Sequence, residues 1–133
     1  MEPTIFKTPE NSIPFNTISW NHVHVTKHEG EQGVAYWRTL KLPNLRLRVV
    51  EYSPGYLADH WCNQGHILYV LEGEITTELR TGETIRMSAG MSYQVSDEMS
   101  SHRSYSEYGA KLFIIDGEFL RLSPQKFTRG IWM

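Results

Sequence analysis

The run from Gly55 to Gly73, GYLADHWCNQGHILYVLEG, decides how this chain is read. It is entered through a turn signal, Ser53-Pro54-Gly55. Leu57 to Trp61 reads as a strand, and Asn63-Gln64-Gly65 breaks it. His66 to Leu71 is apolar on both faces, the pattern of a central strand. Glu72-Gly73-Glu74 then reads as a hairpin turn. Three side chains able to bind a metal, His60, Cys62 and His66, fall inside this one run. Two residues of separation on a strand put His60 and Cys62 on the same face. His66 opens the next strand after Gly65 and can face them across the ladder.

The pattern extends outward from there. Upstream, Leu45 to Tyr52 alternates apolar and polar residues, as a half-buried strand does. Gly33 to Leu40 carries the strand formers Val34, Tyr36, Trp37 and Thr39. Downstream come candidate strands Ile75 to Arg80, Thr84 to Met87, Met91 to Val95, His102 to Ser106 and Lys111 to Ile115. Turns at Gly82, Gly90 and Gly109 and a polar loop from Ser96 to Ser101 separate them. Short strands at regular spacing with glycine turns, and no helical periodicity, predict an all-β, single-domain antiparallel β-barrel or jelly roll. The domain spans 1–133, with the barrel at 45–115. Residues 1–33 form an irregular lead-in with short candidate strands at Ile13–Trp20 and His22–Thr26. Residues 120–133 form a tail whose Phe127, Ile131 and Trp132 suit docking on the body or on a partner. An open antiparallel edge invites pairing unless covered. The segment Ile13 to Thr26 is suited to cross to a neighbour, so a homodimer is expected, symmetric pairs being the commonest soluble oligomer.

The totals narrow the function. The chain has 133 residues and a formal net charge of −2. There is no net basic field to attract nucleic acid and no basic-aromatic stripe. The N-terminal residues have no apolar run for a signal peptide, and no stretch approaches the ~20 apolar residues of a membrane helix. Cys62 is the one cysteine, so an intrachain disulfide framework is excluded. A cytoplasmic protein acting on a small molecule, without nucleic acid or membrane partners, is the expectation.

The quoted run resembles the first signature of the cupin superfamily: a glycine, five residues, His-x-His, three or four residues, a glutamate, six residues and a glycine. Gly55 to His60 and His66 to Gly73 keep its spacing, and Tyr69-Val70-Leu71-Glu72-Gly73-Glu74 is typical of cupins. Cys62 stands where the second histidine usually stands, and His66 where the glutamate does. The second signature, a glycine, five residues, Pro-x-Gly, two residues and a histidine, is degraded. Gly90 opens it, Ser96 takes the proline slot, Glu98 takes the second glycine slot, and His102 arrives one residue late. The resemblance covers Leu45 to Ile115 and points to small cupins marked by an Asp-His-Trp-Cys run, here Asp59 to Cys62. It implies a barrel with a metal at its centre and does not by itself imply a reaction.

The candidate ligands are therefore His60, His66 and His102, with Cys62 a candidate fourth. Three imidazoles leave an open coordination position, whereas an added thiolate closes the site in a way suited to zinc or copper. Cys62 has three readings: ligand, pocket-facing spectator, or small packed hydrophobe. The metal is one divalent transition ion, iron or zinc first, with nickel, manganese and copper as alternatives. A second His-x-His, His22 and His24 followed by His28, alternates with Val23 and Val25 and reads as a strand with solvent-facing histidines. Trp37, Tyr52, Trp61, Tyr69 and Tyr93 read as wall residues, two of them lining a pocket. Arg48 and Arg103 can hold a carboxylate bidentately, but a solvated outer face accounts for both. Two functions follow. One is a metal-dependent enzyme on a small organic molecule, of oxygenase (dioxygenase) or isomerase type. The other is a non-catalytic cupin that binds a metal or metabolite as a sensor or storage protein.

Overall fold

The computed structural model describes residues 12–121. The flanking residues, including Phe127, Ile131 and Trp132 of the tail, lie outside the described part. Nine strands run in order: β1 (Val25–Glu29), β2 (Val34–Leu42), β3 (Leu45–Tyr52), β4 (Tyr56–Leu57), β5 (His66–Leu79), β6 (Thr84–Ser88), β7 (Ser92–Val95), β8 (His102–Ser106) and β9 (Ala110–Gly117). Among the described residues the helical pieces are two 3₁₀ turns, Trp20–His22 and Glu118–Leu120. None is long and apolar enough to cross a membrane.

All pairings are antiparallel. One sheet follows the order β1-β2-β3-β9-β5-β7 and the other β4-β8-β5-β6. The long β5 belongs to both. Its first half, from His66, pairs with β7 and β9, and its second half, from Glu74, pairs with β6 and β8. The expected hairpin at Glu72-Gly73-Glu74 is instead continuous strand. A register shift between Val70 and Glu72 bends it, and Gly73 follows at φ 79°. A Cβ on Gly73 would lie 2.4 Å from the Gly109 carbonyl oxygen, so the bend needs glycine twice over. The result is a curled antiparallel jelly roll with a single core of Ala35, Val50, Leu68, Val70, Ile75, Met87, Ala110, Leu112 and Ile114.

Both expected lead-in strands give way to one. Ile13 to Ser19 forms none, and the strand is Val25–Glu29, three residues later than expected. The face assignment of β3 is also reversed. The alternation of Leu45, Leu47 and Val49 with arginines suggested leucines inside. In the structure Arg48, Val50 and Tyr52 face the interior, in register with Ile114, Leu112 and Ala110. The apolar odd face is not left to solvent. Val49 pairs with Phe113, and the Trp20 ring meets Phe113 edge-on at 6.1 Å. Both faces are covered where Val49 and Phe113 lie under Trp20, so alternation in β3 cannot say which is the inside. Arg48 is thus a buried residue, 4% exposed, rather than a solvated one.

Candidate metal centre

The segment after β4 is not the strand expected from Leu57 to Trp61. Strand pairing stops at Leu57, and Asp59 and His60 lie in a bend. What positions Cys62 is a lone β-bridge to His102. The Cys62 N–H donates to the His102 carbonyl at 2.8 Å, and the His102 N–H donates back to the Cys62 carbonyl at 3.0 Å. Residues exchanging both bonds in an antiparallel pair present their side chains on one face. That bridge is the signal sequence reasoning lacked, because it joins segments distant in the chain.

The loop between Cys62 and His66 is pinned from the other side. Gly65 N–H donates to the Asp97 carboxylate at 2.6 Å, and Glu98 N–H donates to the Asn63 carbonyl at 2.8 Å. A Cβ on Gly65 would sit 2.5 Å from the Val95 carbonyl oxygen, so only glycine lets the loop close here. Glu98, in the slot where the signature has glycine, adopts φ 64°, a left-handed conformation that costs a non-glycine residue about 1–2 kcal/mol.

These constraints bring ligand atoms of Cys62, His66 and His102 within 4.8 Å of one another. Cys62 Sγ lies 3.6 Å from His66 Nε2. Tetrahedral zinc, with Zn–S of about 2.3 Å and Zn–N of about 2.0 Å, requires an S to N separation of roughly 3.5 Å. The orientation of both imidazoles fits too. His102 Nδ1 donates to the Ser100 carbonyl at 3.0 Å, and His66 Nδ1 faces Asp116 Oδ1 at 3.8 Å. For His102 that acceptor leaves Nε2 as the free lone pair, the arrangement that outer partners of metal-bound histidines impose, whereas His66 Nδ1 is buried with no hydrogen-bond partner among the described residues. His102 Nε2 is buried and has no hydrogen-bond partner among the described residues. A buried, unsatisfied nitrogen beside a thiol and a second imidazole is an incomplete constellation that a metal ion completes. The donor set therefore fits a transition metal.

His60 stands outside this trio. Its side chain is 73% exposed, and its Nδ1 lies 2.6 Å from the Asp59 carboxylate. It lines the mouth of the same cavity, of about 160 Å³, whose walls include Trp37, Tyr52, Leu68, Tyr93 and Ile114. Of the aromatics singled out by sequence, Trp37, Tyr52 and Tyr93 line this cavity, whereas Tyr69 is exposed. Of the other histidines, His22 and His24 are exposed, and His28 stacks on Trp37 at 3.7 Å with its ring bonded to Thr26.

The electrostatics reinforce the geometry. Burial raises the Cys62 thiol, but the hydrogen bond to His66, the backbone at Gln64 and the charges of His66 and Arg48 outweigh it and hold it below its usual value. Burial lowers His66, but Asp116 and Cys62 more than offset this, and the imidazole titrates above its usual range. Burial also raises Asp116, yet the bond to His66 and the charges and bonds of Arg48 and Arg46 drive its carboxyl far below the normal range. Tyr52 and Tyr93 are pushed up, chiefly by burial, and stay neutral phenols at any physiological pH.

No protein-family model and no curated protein matches the sequence. Solved structures do. The chain is similar to the EutQ protein of Clostridium difficile, with 19% identity over 76% of this chain and 85% of that one, at a TM-score of 0.62. It is similar to a sugar phosphate isomerase of the cupin superfamily from Silicibacter pomeroyi, with 13% identity over 77% and 76% of the two chains, at a TM-score of 0.62. It is also similar to Fe(II) HppE, with 17% identity over 81% of this chain and 65% of that one, at a TM-score of 0.62. Likeness at these identities establishes the architecture alone: the fold is that of the cupins.

Proposed function

We propose that this chain is a metal-dependent enzyme of the oxygenase or isomerase type acting on a small organic molecule, with Cys62, His66 and His102 holding one divalent transition metal. The observation that carries this reading is the trio of half-buried Cys62 and buried His66 and His102, with its unsatisfied His102 Nε2, lining a cavity rather than packed core. Three protein ligands leave a coordination position free for substrate, the mark of a reactive rather than a structural site. A bound metal supplies Lewis-acid polarisation of a coordinated oxygen. The chain's own residues do the rest. Asp116 and Ser100 fix the imidazole orientations, Leu68 and Ile114 keep water from the inner wall, and the neutral phenols of Tyr52 and Tyr93 are available as hydrogen-bond donors. His60, at the mouth, is the remaining imidazole of the set expected from sequence. Iron and zinc suit the mixed sulfur and nitrogen donors, with nickel, manganese and copper as alternatives. Two of the similar structures, the sugar phosphate isomerase and Fe(II) HppE, are consistent with chemistry of this kind on this fold.

The second reading, a non-catalytic metal or metabolite sensor, is favoured by the thiol. If Cys62 and His60 both ligate, the site closes. Elemental analysis of protein purified without added metal, followed by oxygen-uptake and isomerase assays on a panel of small carbonyl and thiol compounds, separates the two. Stoichiometric metal with turnover supports the enzyme, and stoichiometric metal without any turnover supports the sensor. A metal-free protein that binds no divalent ion removes both.

A homodimer belongs to this proposal, supported by β1 standing at the edge of its sheet among the described residues and by Phe15, 96% exposed, upstream of it in the lead-in. Light scattering at twice the 15.5 kDa chain mass is the expected result. A reducing compartment such as the cytoplasm suits the free, acid-shifted Cys62 thiol.

A further inference from the structure

The cavity beside the trio has an electrostatic imbalance that the metal reading does not use. Arg46, Arg48 and Arg103 are among its lining residues, and among the described residues no carboxylate is. Behind them a single acid, Asp116, serves two of the three. Arg46 Nε donates to its Oδ2, and Arg48 Nη2 donates to its Oδ1 at 3.0 Å. Arg48 is 4% exposed, and its Nε has no hydrogen-bond partner among the described residues. Its guanidinium lies 4.3 Å from the centre of the Trp37 ring, with Arg46 on the same ring at 5.6 Å. Arg103 alternates along β8 with the buried His102 and Ser104, packs over Trp61 at 5.0 Å and is paired with Glu78 at 3.3 Å and Glu31 at 3.6 Å, so its charge is met by carboxylates of its own.

An arginine buried without full compensation is costly, and its unmet donors add to the cost. Two guanidiniums against one carboxylate leave the inner wall net positive. A divalent ion bound by one thiolate adds a further positive charge. The missing element is an anion. The cavity, about 160 Å³, is smaller than the roughly 300–1,000 Å³ that accommodate drug-sized ligands, so that anion belongs to a small molecule. The aromatic platforms hold the guanidinium planes fixed, which suits a bidentate contact to an oxyanion.

We infer that the ligand of this cavity is a small organic acid whose oxyanion group pairs with Arg48, beside Arg46. This deepens the proposed function by naming the substrate class of the same site, yet it stands on the arginines and not on the metal.

Calorimetric titration with lactate and with lactamide, its neutral counterpart of nearly the same shape, tests this on EDTA-treated and on zinc-loaded protein. Lactate is expected to bind at least about tenfold more tightly than lactamide, as a charge-assisted hydrogen bond of roughly 1.5–3 kcal/mol provides. Arg48→Gln should abolish that preference, and Arg48→Lys should keep part of it. Methylphosphonate in parallel tells which oxyanion is favoured. Binding tighter than lactate points to a phosphonate or phosphate ester, and weaker binding to a carboxylate. Equal affinity for lactate and lactamide, no binding of either up to about 10 mM (a free energy near −3 kcal/mol), or a preference surviving in Arg48→Gln would overturn the inference. The comparison of acid with amide needs no variant, so a misfolded Arg48→Gln does not decide the matter. A preference retained in EDTA-treated protein that binds no metal would uphold the anion site and refute the metal centre. Tight zinc binding without any preference would do the reverse.

Discussion

Two cavities share the Tyr93 and His102 wall of this barrel, and they differ in kind. The one described above carries arginines, imidazoles and a thiol. The other, of about 230 Å³, is lined chiefly by Leu79, Ile85, Met87 and Val95 with Thr77 and Ser100. The larger space is the one without chemistry. Its walls come from the second half of β5 and from β6, where interior positions are apolar, and a void there is a gap in packing. The smaller space is where β3 and β9 turn Arg48 and Asp116 inward, and where the Cys62–His102 bridge closes. What sets the smaller cavity apart is the unsatisfied polar atoms of Arg48 and of the imidazoles that line it.

That contrast can be broken by substitution. The largest effect is expected at the ligands. Cys62→Ser, His66→Ala and His102→Ala should each weaken metal binding by more than about 100-fold, exceeding the 10–100-fold of second-shell changes, as read by competition with a chromophoric chelator. His60→Ala should change it only a few-fold. A His60 variant as damaging as the other three would return it to the ligand set. On the far side of the shared wall, Met87→Ala should cost about 2–5 kcal/mol of stability in denaturant melts and leave metal affinity alone. Loss of metal in that variant would mean that the two cavities are not separable.

Asp116→Asn should weaken metal binding about 10–100-fold without removing a ligand, because it releases the orientation of His66. It should also change the pH dependence. Protons compete with metal for imidazole. With His66 titrating above its usual value, affinity should begin to fall while the pH is still above about 6.5. Removing the Asp116 charge should move that onset to lower pH, and an unchanged onset would show that Asp116 does not set the His66 proton affinity. The smallest effect concerns the pinned loop. Glu98→Gly relieves a φ of 64° and should stabilise the fold by up to about 1 kcal/mol, less the entropy that glycine adds to the unfolded chain. Destabilisation would mean that the Glu98 side chain holds the loop through contacts of its own.

Much of this was legible in the order of residues. β3 lies at Leu45–Tyr52, as its alternation indicates, and β8 begins at His102 as expected. The cupin-like spacing singled out Cys62 and His66, and the degraded second signature singled out His102, the three residues whose ligand atoms the fold brings within 4.8 Å of one another. The misreadings share a cause. Alternation reports that a strand has two different faces but not which one meets the core. In β3 the choice was reversed because Trp20 and Phe113 cover the outside. That reversal hid Arg48, whose inward position matters most for the ligand. His60 was placed beside Cys62 by a strand argument that needs extended backbone, and the chain bends at Asp59 and His60 instead. The signature spacing from Gly55 pointed to His60 as well, so neither spacing nor periodicity reports that bend.

The passage of β5 through both sheets has a mechanical consequence. A strand bonded to β7 and β9 along one half and to β6 and β8 along the other cannot be released from one sheet while the other stays whole. The amides of Leu68, Val70, Ile75 and Thr77 should therefore exchange with solvent only through global unfolding, which makes His66, at the root of that strand, the fixed jaw of the site. The segment from Ala58 to Gln64, held by a bridge and a few loop hydrogen bonds, is the jaw that can open. Were it to open, Cys62 would travel with it, so that admission of a ligand and the seating of the thiol would be one movement.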